Sequence, residues 1–97
     1  MFRADRAELA GKRALVTGGT QGVGAAIVWR LSAAGAKVAT TARSERPSSD
    51  ASDLFVQADV TTADGVITVS RAVLERYGGL DILVHETPNS SAAAPEP

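Results

Sequence analysis

The residues with the clearest chemical potential are glycines. The stretch Thr17-Gly18-Gly19-Thr20-Gln21-Gly22-Val23-Gly24 joins an apolar run to an amphipathic one. Gly18, Gly22 and Gly24 stand where a chain leaving a strand must turn sharply and start a helix. Gly18 takes the backbone of a tight turn without a Cβ penalty. Gly22 lets the backbone approach phosphate oxygens, and Gly24 lets the helix pack closely on the strand. Thr20, Gln21 and Val23 complete the turn and belong to the same candidate set. A helix starting near Gly22 aims free N–H groups and a partial positive charge at an anion. A dinucleotide pyrophosphate suits that geometry. Glycine-rich turns also serve as plain strand–helix connections. A P-loop fits poorly: Gly19 to Gly24 has its glycine spacing, but Ala25-Ala26 stands where Lys-Ser/Thr is required.

A second position bears on the ligand. In dinucleotide sites an acidic residue roughly 20 positions on contacts the ribose 2′-hydroxyl, or an arginine accommodates a 2′-phosphate. Here the segment reads Thr40-Thr41-Ala42-Arg43-Ser44. Arg43 therefore favours NADP over NAD, with Glu45 close by as a competing carboxylate. Other reactive residue types are scarce. The chain has no cysteine and one histidine, His85, with no carboxylate cluster around it to make a metal site. The sole tyrosine, Tyr77, reads as the last apolar position of a helix, and the sole tryptophan, Trp29, as partly buried against a neighbouring layer.

The elements that must position these residues alternate. Lys12 to Thr17 holds Ala14-Leu15-Val16 and reads as a buried strand. Val23, Ile27, Leu31 and Ala34 mark one helical face, with Gly35 as a left-handed C-terminal cap. Lys37 to Thr41 reads as a second strand, and Arg43 to Asp53 as a loop that can hide a helical turn. Leu54-Phe55-Val56 is a third strand. Thr61 or Thr62 caps a helix carrying Val66, Val69, Val73 and Tyr77, and Gly78-Gly79 end it. Leu80 to Val84 is a fourth strand. This alternation predicts an α/β fold of parallel strands with right-handed crossovers, in the order 3-2-1-4. That is the first half of a doubly wound sheet, a partial Rossmann arrangement. Residues 1–84 form this unit. Residues 85–97, with three prolines and no periodicity, read as a disordered tail.

Composition agrees with one domain at most. Of 97 residues, 44% are apolar and 22% charged, which is globular rather than disordered, and only 4% are aromatic, which limits the size of the core. The net charge of −1 comes from interspersed charges, so nothing suggests a nucleic-acid or membrane-surface partner. No apolar run reaches the length of a membrane span, and the first residues do not read as a signal peptide. A cytoplasmic location is expected.

Lys12-Arg13-Ala14-Leu15-Val16-Thr17-Gly18-Gly19-Thr20-Gln21-Gly22-Val23-Gly24 resembles the cofactor-binding segment of short-chain dehydrogenases/reductases, matching T-G-x-x-x-G-x-G at every defined position. Asp59-Val60 looks like the family's acidic-apolar pair that contacts the adenine. Leu80-Asp81-Ile82-Leu83-Val84 looks like its fourth strand. The resemblance covers about Leu9 to Val84. It implies an oxidoreductase that transfers a hydride between NADP(H) and an alcohol or carbonyl, with the arginine at position 43 implying NADP. The family's N-N-A-G after the fourth strand is replaced by His85-Glu86-Thr87-Pro88. Its catalytic Ser and Tyr-x-x-x-Lys have no counterpart, since Asp81 stands four residues after Tyr77. The chain thus resembles the cofactor half alone, truncated or frameshifted after Val84 and inactive by itself. The alternative is a non-catalytic nucleotide-binding or interaction module that self-associates through an exposed sheet edge.

Overall fold

Strands that are apolar on both faces need cover on both faces, and the chain supplies one helix to each side. The computed structural model describes residues 8–20, 22–48 and 50–85. Its elements run β1 (Arg13–Thr17), α1 (Gly22–Ala33), β2 (Lys37–Ala42), β3 (Leu54–Gln57), α2 (Ala63–Tyr77) and β4 (Ile82–His85). All strand pairs are parallel and the sheet order is β3-β2-β1-β4, as the alternation predicts. β4 runs one residue past Val84, so His85, expected in the tail, closes the sheet. Residues 86–97, the rest of that expected tail, lie outside the described residues.

The alternation of side chains along the strands divides the core in two. Ala14, Val16 and Val38 pack with Val28 on the α1 side. Leu15, Ala39 and Val56 pack with Val69 and Val73 on the α2 side. These are small and medium side chains, so each layer is thin. Both helices bury the expected faces except at their first positions: Ile27 and Leu31 pack on the core and Ala34 is buried, as are Val69 and Val73, with Tyr77 packed beside them. α1 buries Gly24 and Val28, flanked by Ile27 and Leu31, and leaves Val23 66% exposed. α2 buries Gly65, Val69 and Val73, and leaves Val66 49% exposed. In both cases a glycine lets the first helical turn approach the backbone that follows a strand, Gly18-Gly19 after β1 and Asp59 after β3, and the next buried residue follows at i+4. Trp29, expected to be partly buried, is 67% exposed, because α1 turns that flank away from the sheet. Among the described residues between β2 and β3 there is no helix. That loop is clamped by Asp50, whose carboxylate accepts from Arg46 Nε (2.8 Å) and from the Ser52 hydroxyl (2.6 Å).

Caps end the helices as predicted. Thr62 accepts from the Gly65 N–H at 3.0 Å, Gly78 adopts φ 77° after α2, and Gly35 adopts φ 101° after α1. The amino-terminal edge of the sheet is tied by Arg13, which donates to Asp81 from its backbone N–H (2.9 Å), Nε (2.9 Å) and Nη2 (3.2 Å), and to the Tyr77 carbonyl from Nη1 (3.3 Å). The Arg13 side-chain hydrogen bond is the main reason the Asp81 carboxyl is held down at about 2. A carboxylate held below its unfolded value of about 4 stabilises the fold above that pH, and this contribution is lost as pH falls towards about 2. Asp81→Asn should therefore lower the thermal midpoint at neutral pH. It should also flatten the stability curve between about pH 4 and about pH 2, as followed by circular dichroism.

Candidate functional site

Parallel pairing brings the carboxyl ends of all four strands to one edge, and the candidate residues gather there. Thr17 pairs with Thr41 and with His85, and Ala42 pairs with Gln57. The glycine turn leaves β1, Arg43 follows β2, and Asp59 and Val60 follow β3. The described members of the set thus lie on one edge. Gln21 falls outside the described residues.

The turn has the backbone that only glycine adopts cheaply. Gly18 has φ 72° and Gly22 φ 54°. Gly18 continues the ladder by donating its N–H to the Thr41 carbonyl at 3.1 Å. A Cβ on Gly22 would meet nothing within 4 Å, so the backbone there faces open space at the start of α1. That is the cradle a phosphate group would use. A Cβ on Gly24 would overlap the Gly18 carbonyl oxygen and press on the Gly19 Cα. Gly24 thus lets the helix close on the turn itself. Thr20 is half-buried, and Val23 is exposed on the first helical turn. No acidic side chain occupies that turn, leaving the positive end of the helix dipole uncompensated by carboxylate.

Arg43 is exposed and bonded through its carbonyl to Gln57 Nε2 at 3.1 Å, which fixes its backbone against β3 and leaves its guanidinium outside that contact. Asp59 Oδ1 accepts from the Thr61 N–H at 2.9 Å and from the Thr61 hydroxyl. The hydroxyl bond and then the amide bond hold its carboxyl below the usual carboxylate range, and the Arg43 charge adds to this. Arg43 and Asp59 are therefore close enough to interact. Val60 packs on the α2-side core, so the pair Asp59-Val60 splits into one polar and one anchoring residue.

Three features of this edge escape the glycine pattern. Gly19 is buried, and a Cβ there would overlap the Thr40 hydroxyl and Val28. Thr40 in turn donates to the Val16 carbonyl at 2.8 Å. Gly65 packs α2 against the Asp59 carbonyl. Thr17 Oγ1 lies 2.9 Å from His85 Nδ1. Gly19 and Gly65 were visible only as glycines in unassigned positions, and no local signal joins Thr17 to His85. Tyr77 is held by burial and by donating to Asp53 at 2.9 Å, which push its hydroxyl well above the ordinary tyrosine value. It is a helix-end residue at the opposite edge. A depression of about 410 Å³ lined by Trp29, Ser32, Ala33, Gly35 and Ala51 also lies away from the glycine turn. Among the described residues no cluster of three or more His, Asp or Glu could hold a metal, and no helix is long and apolar enough to cross a membrane.

A doubly wound α/β sheet with a glycine turn at its switch point is a nucleotide-fold framework, and the comparisons specify which. The chain matches the short chain dehydrogenase family over residues 12–93, a span that reaches past Val84, and it belongs to that family. It is 42% identical over 82 residues to an uncharacterized oxidoreductase of Mycobacterium bovis, covering 76% of this chain and 33% of that protein. It is 40% identical over 83 residues to the 3-oxoacyl-(acyl-carrier-protein) reductase FabG of Vibrio cholerae, covering 79% and 34%. A short chain dehydrogenase from Burkholderia cenocepacia, solved in complex with NADP, superposes with a TM-score of 0.70 at 43% identity, covering 78% of this chain and 35% of that one. The chain spans about a third of the length of the relatives it matches.

The glycines separate two kinds of constraint. Gly22→Ala should cost about 1–2 kcal/mol through its left-handed backbone alone. Gly19→Ala and Gly24→Ala should cost about 1–3 kcal/mol each through overpacking against Thr40, Val28 and the Gly18 carbonyl. Urea denaturation of the three variants checks both values.

Proposed function

We propose that this chain is the dinucleotide-binding part of an NAD(P)-dependent oxidoreductase, and that it takes NADP in preference to NAD. The observation that carries the proposal is the placement of the Gly18–Gly24 turn, Arg43 and Asp59 side by side along one sheet edge. In this reading Gly18, Thr20, Gln21, Gly22, Val23 and Gly24 surround the pyrophosphate, which accepts from the first N–H groups of α1. Arg43 pairs with the 2′-phosphate, and Asp59 and Val60 take the adenine. The Burkholderia relative solved with NADP supports the choice of ligand. The dinucleotide supplies hydride transfer when bound. The chain's own part is to bind and orient it.

By itself the chain is catalytically inactive, because the Ser and Tyr-x-x-x-Lys implied by the resemblance have no counterpart in its sequence. Its working location is the cytoplasm. Among the described residues no strand pairs with the outer edge of β4, which would take a second copy next to Leu83, 60% exposed.

Fluorescence titration of the purified chain with NADPH and NADH tests the binding. Tighter binding of NADPH is expected, and no binding of either overturns the proposal. Arg43→Ala should weaken NADPH about 10- to 100-fold, the loss of a charge-assisted hydrogen bond, and leave NADH nearly unchanged. Turnover of any alcohol or carbonyl by the unmodified chain would refute its inactivity.

A further inference from the structure

The face of the sheet that α1 covers is not covered evenly. Its core layer runs from Val38 of β2 through Ala14 and Val16 of β1 to Ile82 and Val84 of β4, and among the described residues no β3 side chain joins it. Leu54 and Val56 pack on the α2 side, so Phe55 between them lies on the α1 side. Among the described residues the link from β2 to β3 brings no helix to cover that strand. The flank of α1 that faces this link carries Trp29, 67% exposed, and the depression of about 410 Å³ that reaches Ala51. Ser32, Ala33 and Gly35 complete its lining, so its side chains are apolar but for one hydroxyl.

The place of the depression decides what can reach it. Gly35 and Ala51 stand just before the amino ends of β2 and β3, so it opens at the amino-terminal edge of the sheet. There Leu9 donates its N–H to the Ala34 carbonyl at 2.8 Å, and the Leu9 carbonyl accepts from the Lys12 N–H at 2.9 Å. This turn holds the lead-in to β1 against the end of α1. The described residues begin one position earlier, at Glu8, beside the Ala34-Gly35 rim. Residues 1–7, Met1-Phe2-Arg3-Ala4-Asp5-Arg6-Ala7, lie outside them and carry two large apolar side chains, Met1 and Phe2. The steps from Phe2 to Glu8 reach at most about 20 Å when extended, enough to cross a helix about 10–12 Å wide. The segment 86–97 is placed less well. It follows β4 at the carboxyl edge, with β1 between β4 and β2, and has no apolar side chain larger than proline.

We propose that the depression is the docking site of residues 1–7, with Phe2 seated against Trp29. The small residues Ala33, Gly35 and Ala51 leave room for the ring, and an aromatic pair buries a large apolar area on both partners. The segment then supplies, on the flank towards β3, the cover that the β2–β3 link lacks. A second copy would have to find the same surface from solution, whereas the segment is tethered at its rim.

Trp29 is the only tryptophan and Phe2 one of two phenylalanines, so each reports on the contact. Nuclear Overhauser spectra of the full chain, with its phenylalanine rings labelled, should show cross-peaks from the Trp29 indole to a ring whose signals vanish in Phe2→Ser. The same variant should red-shift the Trp29 emission and raise its quenching by acrylamide, with the circular dichroism spectrum unchanged. Phe2→Leu, which removes the ring but keeps its apolar bulk, should lose the cross-peaks and keep the emission of the unmodified chain. Emission and quenching that are the same in the unmodified chain and in Phe2→Ser overturn the inference, as do indole cross-peaks to Phe55 alone. Shielding of Trp29 that grows with chain concentration, alongside a dimer in sedimentation, assigns the depression to a second copy and overturns it too.

Discussion

Everything at the candidate site depends on β1 being paired on both sides and buried on both faces. Ala14 and Val16 face one layer and Leu15 the other, while β2 and β4 bond to either edge. Parallel pairing is directional: it sets all carboxyl ends on one side of the molecule. Residues far apart in sequence, from the glycine turn to Asp59 and His85, become neighbours on one edge for that reason. A single reversed strand would scatter them.

The absence of side chains shapes this edge as much as their presence. Gly19 lets the turn sit on Thr40 and Val28, Gly24 lets α1 close on the Gly18 carbonyl, and Gly65 lets α2 reach the Asp59 carbonyl. Each removes a Cβ at a point where two backbones or a backbone and a buried hydroxyl meet. At the first turn of each helix the buried position is the glycine, Gly24 or Gly65, while Val23 and Val66 beside them are exposed. Close packing at the turn and the buried position of the first helical turn are thus one event. The amino-terminal edge is secured differently, by directed bonds from Arg13 to Asp81 and to the end of α2. An open edge for a ligand and a tied edge for stability divide the sheet's two ends between them.

Much of this was legible in the residues. The apolar run at Ala14 to Val16, the turn at Gly18 to Gly24 and the caps at Thr62, Gly35 and Gly78 are local signals, and each fixes a local conformation. The alternation of strands and helices implied the parallel order and, with it, the edge on which Arg43 and Asp59 fall. Apolar spacing located both helices and most of their buried faces, Ile27 and Leu31 in α1 and Val69, Val73 and Tyr77 in α2, but not the burial of Gly24 and Gly65, because a glycine carries no apolar signal. Trp29 looked like a packing residue by type alone, and only the direction in which α1 leans exposes it.

The sequence by itself determined the fold class, the family and the glycine turn, since these rest on spacings of a few residues and on backbone conformations that glycine alone adopts without cost. The tertiary structure decided the long-range pairings. Thr17 with His85, Thr40 with the Val16 carbonyl, and Arg13 with Asp81 are separated by 68, 24 and 68 residues. No local pattern encodes such contacts. They exist because the parallel register brings particular strand ends within hydrogen-bond distance, and that register is set by the whole sheet.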